Sequence, residues 1–495
     1  MDKMPGLAQA FLFLGTPTGF LLVLVGTALG IFVGAIPGLT GAMLIALSLP
    51  LTFSMEPAHA MTLLVGMYVG SVSGGMITAT LLRMPGTPAS IMTTLDGFPM
   101  AKGGQPGRAL GLGIGASLVG GLISWLFLVT LSQPIAEASA KFGPFEFFTL
   151  VLMALVLIAS IGGKSVTRSL FSGALGILIS MPGIAAATGE TRLTFGFAEL
   201  NDGFKLLPVL IGLFAINQIL RDIMAIDEKP ETLTLTREGL FPKLTEWKAQ
   251  AFNLVRSSFV GTWIGILPGI GANIGSVTAY SLAKSFSKQP QRFGSGSEEG
   301  IVASESANNA TVGGALIPLV AMGLPGSVID AILLGALVVH GLQPGPRLFA
   351  DSPEVVHTII ATYLVSNLLM ALIMVGSAGY LARLSRVRRA YLLPVILVFC
   401  VVGSFALSNR MFDVWVMIGF GLLGLALERY KIPLAPFVLG FVLGPIAEEN
   451  LSAGLMASNG SLWPMVTRPI SAVFSLVSVL LLILPMLRKQ KAPAS

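Results

Sequence analysis

Charge is scarce in this chain. Only 11% of its 495 residues are Asp, Glu, Lys or Arg, where a soluble domain carries about 25%. With 54% hydrophobic residues and a mean hydropathy of +0.84, the shortage excludes an ordinary soluble domain. It predicts an all-α polytopic membrane protein. One cysteine, Cys400, excludes an intrachain disulfide and leaves the redox compartment undefined. Histidine is nearly absent too: neither His59 nor His357 has a partner at metal-ligand spacing, and His340, at the end of an apolar run, reads as structural. Enzyme signatures are missing. There is no HExxH and no GxSxG, and Gly163-Lys164-Ser165 ends like a P-loop whose required first glycine is Ile158. Gly111, Gly113 and Gly115 lie in a membrane segment, without the strand a dinucleotide site needs. Without an ATPase signature, any transport runs on an ion gradient. Residues 1–10 lack the basic start and cleavage site of a signal peptide, so the first apolar run reads as a retained helix. The net charge of +6 sits in short loops, where it sets topology rather than recruits nucleic acid.

What the chain has in excess is glycine, 58, and proline, 30. These residues break helices, and a membrane tolerates broken backbone only under cover of protein or a water-filled cavity. The breaks come twice. GAIPGLTGA at 34–42 matches GILPGIGAN at 265–273. Gly74-Gly75 leads to Pro85-Gly86-Thr87, as Gly313-Gly314 leads to Pro325-Gly326-Ser327, and each copy closes on Pro-Gly, at Pro106-Gly107 and Pro344-Gly345. Matched interruptions in two halves of a membrane protein point to a transporter's binding site.

Apolar runs fall near 18–36, 39–53, 60–82, 108–133, 145–163, 169–182 and 205–223, then near 251–268, 270–284, 301–323, 354–378, 394–407, 413–427, 432–447 and 469–487. The expectation is about twelve to fifteen transmembrane or re-entrant segments. The domain reading is a first membrane repeat at 1–223, a cytoplasmic linker at 224–250 and a second membrane repeat at 251–450. An extra C-terminal transmembrane helix with a cytoplasmic tail occupies 451–495. A polar insert, Lys284 to Gly300, lengthens the second copy. Basic loops read as cytoplasmic: RLSRVRR at Arg383–Arg389, the linker and the tail. The loop carrying Arg83, Lys102 and Arg108 is basic, whereas its counterpart sets Arg347 against Asp351 and Glu354. The two repeats are therefore expected to be inverted, the arrangement of alternating-access carriers.

A helix that restarts beyond a break points its free N–H groups and positive dipole end into the gap, which suits a carboxylate. The expected substrate contacts are Pro37, Gly38, Gly41, Ser71, Ser73, Pro85, Gly86, Thr87, Pro325, Gly326 and Ser327. Close helix packing is the competing reading for these glycines. Glu305-Ser306-Ala307-Asn308-Asn309 is the most polar intramembrane run, costly in hydrocarbon and by default functional. Its oxygens suit a hard cation such as Na⁺. The expected ion contacts are Pro268, Gly269, Gly271, Asn273, Asn308 and Asn309. A polar helix start at the interface is the bland reading of that run, and Glu298 and Glu299 are assigned to the loop. Arg83 either pairs with a substrate carboxylate or marks the interface; Asp330 either binds a proton or Na⁺ or is a satisfied interface residue.

The runs PGTPASIMTTLDGFPMAKGGQPGRALG (85–111), GLPGSVIDAILLGALVVHGLQPGP (323–346) and SESANNATVGGALIPL (304–319) resemble the signature regions of the large membrane subunit of tripartite tricarboxylate transporters, over nearly the whole chain. The resemblance implies a secondary carrier in a bacterial inner membrane, importing a carboxylate such as citrate or another organic acid with Na⁺ or H⁺. It implies a small membrane subunit and a periplasmic solute-binding protein as partners, and no cofactor. The family's Pro-Gly clamps fall on Pro37-Gly38, Pro85-Gly86, Pro268-Gly269 and Pro325-Gly326, and its paired amides on Asn308 and Asn309. The chain departs from the family's pattern at Met76, Arg83 and Asp330, which flank the expected site. The rival readings are a carrier or channel for another solute that needs no receptor, and a membrane-embedded enzyme or scaffold.

Overall fold

The computed structural model describes residues 4–36, 39–161, 165–185, 188–224, 238–384, 389–406 and 408–489. The expected clamp Pro37-Gly38, much of the linker, part of RLSRVRR and the end of the tail lie outside the described residues. Helices dominate. In chain order come α1 (Met4–Leu14), α2 (Pro17–Gly34), α3 (Gly41–Thr52), α4 (Pro57–Leu82), α5 (Ile91–Lys102) and the long α6 (Pro106–Ser139). Then follow α7 (Pro144–Ile161), α8 (Val166–Ser180) and a two-stranded antiparallel ribbon, Gly183–Ile184 against Thr191–Arg192. α9 (Leu206–Leu210) runs into α10 (Asn217–Met224) through a π-helical turn at Ile211–Ile216. The second half holds α11 (Leu244–Ile266), α12 (Gly271–Phe286), α13 (Glu298–Met322), α14 (Val328–Val339), α15 (Pro346–Asp351) and α16 (Pro353–Leu384). It closes with α17 (Arg389–Ala406), α18 (Met411–Arg429), α19 (Leu434–Ala457), α20 (Pro464–Thr467) and α21 (Pro469–Lys489).

Among the described residues, 7 helices are long and apolar enough to cross a membrane: Pro17–Gly34, Pro57–Leu82, Pro106–Ser139, Leu206–Met224, Pro353–Ser377, Met411–Arg429 and Leu434–Ala457. Shorter apolar helices, such as Gly41–Thr52 and Val328–Val339, accompany them. Large apolar side chains remain exposed, among them Phe20, Leu21, Phe252 and Trp263, as lipid-facing surfaces require. The chain is a multi-pass, all-α membrane protein.

The chain divides into two compact units. The first comprises Met1–Ala136, Gln218–Leu267 and Gly271–Gly403; the second comprises Glu137–Asn217, Pro268–Ile270 and Ser404–Ser495. Both units draw on both halves of the chain.

In the first unit, glycines bring helix backbones into contact. A Cβ on Gly26, Gly30 or Gly34 of α2 would lie 2.4, 2.4 or 2.3 Å from the carbonyl oxygen of Leu63, Met67 or Ser71 on α4. Gly70 and Gly74 of α4 press back on Thr27 and Ile31. The pair α11 and α13 repeats the device: Gly261 and Gly265 meet the carbonyls of Ala307 and Thr311 at 2.4 Å, and Gly314 meets that of Thr262 at 2.3 Å. In lipid, where apolar burial gives helices no preference for each other, this close approach gains dispersion energy.

The polar insert has a structural reason that lies far away in sequence. Buried Asp96 on α5 accepts backbone N–H groups from Gly294, Gly296 and Ser297 at 2.8–2.9 Å and the Tyr280 hydroxyl at 2.8 Å. Arg108 bonds Glu246 and Glu298 at 2.8 Å, tying α6 to the starts of α11 and α13. Asp96→Ala removes the acceptor of three backbone donors and of the Tyr280 hydroxyl, stranding the buried Ser297 N–H and Tyr280 hydroxyl, at a local cost of about 3 kcal/mol. Limited trypsinolysis in detergent should then cut Lys288 and Arg292 roughly a hundredfold faster than in the wild type.

The second unit is stitched in the same way. Gly176 of α8 meets the Phe437 carbonyl, and Gly440 of α19 meets that of Gly173, each at 2.1 Å from the added Cβ. Arg468 pairs with Glu146 at 2.9 Å and Arg192 with Glu448 at 2.5 Å. The run expected at 205–223 is one span, and its π turn places Gly212 against the Met417 carbonyl.

Candidate functional site

The breaks that end α4 and α13 are built alike. Arg83 follows α4 with φ 56°, and Gly323 follows α13 with φ 69°. Left-handed backbone is natural for glycine and strained for arginine. Arg83 is exposed and stacks over the Phe98 ring, 5.8 Å from its centroid. Beyond each cap the Pro-Gly pair seats its glycine on the end of the other broken helix. A Cβ on Gly86 would lie 2.2 Å from the Gly34 carbonyl, and one on Gly326 would lie 2.9 Å from that of Gly265. Gly86 also abuts Gly75, as Gly326 abuts Ala315. Placing Gly86 on Gly326 therefore pairs Gly74 with Gly314, Ser71 with Thr311 and Tyr68 with Asn308. The sequence pairing of Gly74-Gly75 with Gly313-Gly314 is one residue out of this register.

The first break holds a hydroxyl pocket. Thr87 Oγ1 and Ser90 Oγ stand 2.9 Å apart, and the absent Cβ of Gly75 makes room for both. The second break carries an acid instead. The Asp330 N–H donates to Ser327 Oγ at 3.3 Å. The Tyr68 hydroxyl lies 3.0 Å from Ser327 Oγ and donates to Asp330 Oδ2 at 3.3 Å. Ser71 donates to the Tyr68 carbonyl at 3.0 Å, and Gly41 at the start of α3 sits against Ser71 and Ile329. Gly271, with φ 71°, opens α12 and donates its N–H to the Gly326 carbonyl at 3.1 Å.

The polar run on α13 is fully buried: Glu305, Asn308 and Asn309 are each 0% exposed. Glu305 accepts from the hydroxyls of Thr93 and Ser117 and from Asn308 Nδ2. Asn308 Nδ2 also reaches the Val72 carbonyl at 3.4 Å. Asn309 Nδ2 donates to the Ser117 carbonyl at 2.7 Å and to Asn367 Oδ1 at 2.5 Å. Tyr363 donates to the Asn309 carbonyl at 3.0 Å and accepts the Gly313 N–H at 3.1 Å. Acceptors face both Nδ2 groups, which fixes the amide orientation. The two Oδ1 atoms, and the buried Ser73 Oγ, are left without a partner. Native interiors rarely tolerate such atoms, so each needs a reason. Unpartnered amide oxygens are the kind of donor that a hard cation takes.

The structure thus joins Asn308 and Asn309 to Glu305, Thr93, Ser117, Tyr363 and Asn367. The expected ion contact Asn273 is elsewhere, exposed on the first turn of α12. Pro268 and Gly269 group with the second unit, where a Cβ on Gly269 would meet Ile158 and Leu439. Among the substrate contacts, Gly41, Ser71 and Ser327 gather at the second break and Gly86 and Thr87 at the first; Pro85 and Pro325 lie in the turns. Tyr68, Thr93, Ser117, Tyr363 and Asn367 were missed by the sequence reading. Their one signal was polarity inside otherwise apolar helices. His340 bonds Thr52 Oγ1 at 3.3 Å, away from these clusters.

Comparison with known proteins gives consistent results. Residues 20–439 match the model of the Tripartite tricarboxylate transporter TctA family. A protein of Agrobacterium vitis, described as "Uncharacterized 52.8 kDa protein in TAR-I ttuC' 3'region", is 33% identical, covering 99% of this chain and 98% of its own. A second from the same organism, "Uncharacterized protein in TAR-II ttuC' 3'region", is 36% identical over 47% of this chain and 97% of its own. No solved structure matches.

Proposed function

The chain belongs to the tripartite tricarboxylate transporter TctA family, and on that premise we propose that it is the large membrane subunit of an ion-gradient-driven carrier. It imports a carboxylate, such as citrate or another organic acid, across the inner membrane of a bacterium. A periplasmic binding protein delivers the substrate, and a small membrane subunit completes the complex. The two repeats stand inverted across the bilayer, and Na⁺ or H⁺ supplies the driving force.

One observation carries this reading: two like-built helix breaks share a unit with a fully buried polar run whose amide oxygens lack partners. Donors at the breaks suit the anion. Oxygens on α13 suit the cation, whose binding offsets the cost of bringing negative charge into a low-dielectric interior.

The test is uptake into right-side-out vesicles holding the chain and its small partner, under imposed Na⁺ and H⁺ gradients. Labelled citrate, succinate and acetate serve as probes, with and without the binding protein. Flux that needs both a gradient and the receptor supports the reading. Full-rate flux without the receptor favours the receptor-independent carrier, and absence of flux for every probe removes the carrier reading.

A further inference from the structure

We propose that Asp330 binds the coupling proton, and that this proton and the substrate carboxylate bind together at the second break; this rests on the carrier reading above. Three observations meet here. First, Asp330 is 0% exposed, and its Oδ1 has no hydrogen-bond partner while Oδ2 takes the Tyr68 hydroxyl. Second, no Lys or Arg among the described residues pairs with it. α4 brings Tyr68, α3 brings no titratable side chain, and the Glu305 of α13 is held by Thr93, Ser117 and Asn308. His340, at the other end of α14, bonds Thr52. Third, in the register set by Gly86 and Gly326, Asp330 stands where the first repeat has Ser90, a neutral hydroxyl. The acid is an addition to one break, and its chemistry belongs to that break alone.

An ionised carboxylate without a counter-cation is costly in a membrane interior. At the start of α14 it also occupies the anion-attracting helix end itself, where it repels an incoming carboxylate. A proton on Oδ1 reverses both effects. The group becomes neutral and gains an O–H donor, on the atom that has no partner. Proton and anion then favour each other's binding by the same factor, which is the thermodynamic content of symport. The proton enters from the outer water, forms one O–H bond to Oδ1, crosses with the substrate and leaves to the inner water. Half-buried Ser327, bonded to both Tyr68 and the Asp330 N–H, is the accessible edge of the group.

The test uses the chain with its small subunit in liposomes, with equal Na⁺ on both sides and the membrane potential clamped at zero. Labelled citrate is followed in two modes: counterflow at equal pH, and accumulation under an inside-alkaline gradient. The wild type should show counterflow, and one proton per substrate should accumulate citrate roughly tenfold per pH unit. Asp330→Asn should retain measurable counterflow but lose the gradient-driven accumulation and the pH dependence of citrate affinity. Asp330→Ser, which copies the first repeat, should behave likewise. Accumulation that survives in both variants would overturn the proposal. So would loss of counterflow in both, which would make Asp330 a substrate-binding or structural residue, and so would wild-type accumulation that needs a Na⁺ gradient. A wild type with counterflow for none of citrate, succinate and acetate removes the carrier reading first, and this proposal with it.

Discussion

Asn309→Ala should abolish carboxylate uptake while the protein still reaches the membrane. The Nδ2 of Asn309 is committed to the Ser117 carbonyl and Asn367 Oδ1, so its Oδ1 is the atom left to bind a cation. Removing that oxygen should weaken cation binding by a factor on the order of a hundred, since even an outer partner of a metal site typically contributes 10- to 100-fold. Truncation also strands the buried Asn367 Oδ1, a cost of about 1–3 kcal/mol. Asn309→Asp therefore serves as the control of similar shape. It keeps the volume but sets an acceptor against two acceptors, and it too should lose uptake. Membrane abundance and citrate uptake, measured together, separate a folding defect from a lost site. Unchanged uptake with Asn308 and Asn309 both replaced by alanine would remove the site assignment.

Adding one methyl group between the stitched helices should unfold the protein more readily than any surface change. In Gly30→Ala the new Cβ lies 2.4 Å from the Met67 carbonyl oxygen and 2.9 Å from Gly70 Cα. In Gly261→Ala it lies 2.4 Å from the Ala307 oxygen and 2.7 Å from its Cα. Backbone cannot rotate away as a side chain can, so each substitution should cost about 3 kcal/mol or more. The two positions correspond in the register of the breaks, and their losses should be similar. Gly376→Ala and Gly419→Ala are the controls: their helices leave nothing within 4 Å of the added atom. There alanine's better helix propensity should be neutral or stabilising by up to about 1 kcal/mol. Thermal unfolding and size-exclusion profiles in detergent measure both. Equal behaviour of Gly30→Ala and Gly419→Ala would contradict the packing account.

The Pro-Gly breaks were legible because proline and glycine act locally, wherever the rest of the chain goes. The duplicate spelling of PGT at 85 and PGS at 325 gave the correspondence of the two hairpins. The finer register was not legible. Two adjacent glycines look alike in sequence, and only the partner backbone shows that Gly74 and Gly314 do the same task. The polar run on α13 stood out against hydrocarbon, but its partners did not. A helix between lipid and protein is apolar on both faces, so periodicity does not mark the side that packs. Thr93, Ser117 and Asn367 reach Glu305 or Asn309 only after the helices assemble. The placing of Asn273 was not legible for the same reason: nearness in sequence to a break does not fix which way the first turn of α12 faces, and there Asn273 is exposed, apart from Asn308 and Asn309. The insert at 284–300 was legible as polar, but its ends are helical: α12 runs to Phe286, and Glu298 and Glu299, read as loop, open α13 behind the Ser297 cap. Its anchor, Asp96, lies far away in sequence.

Uphill accumulation in a purified system tests the central claim most directly. The chain and its small subunit are reconstituted in liposomes, the binding protein is loaded with labelled citrate, and the inside-to-outside ratio is followed with an ion gradient on and off. The account predicts a ratio above one only with gradient and receptor together. An ionophore should collapse it, and replacing Asn308 and Asn309 by alanine should abolish it. A ratio that never exceeds one under any gradient, while label still equilibrates, would describe a channel and contradict the account.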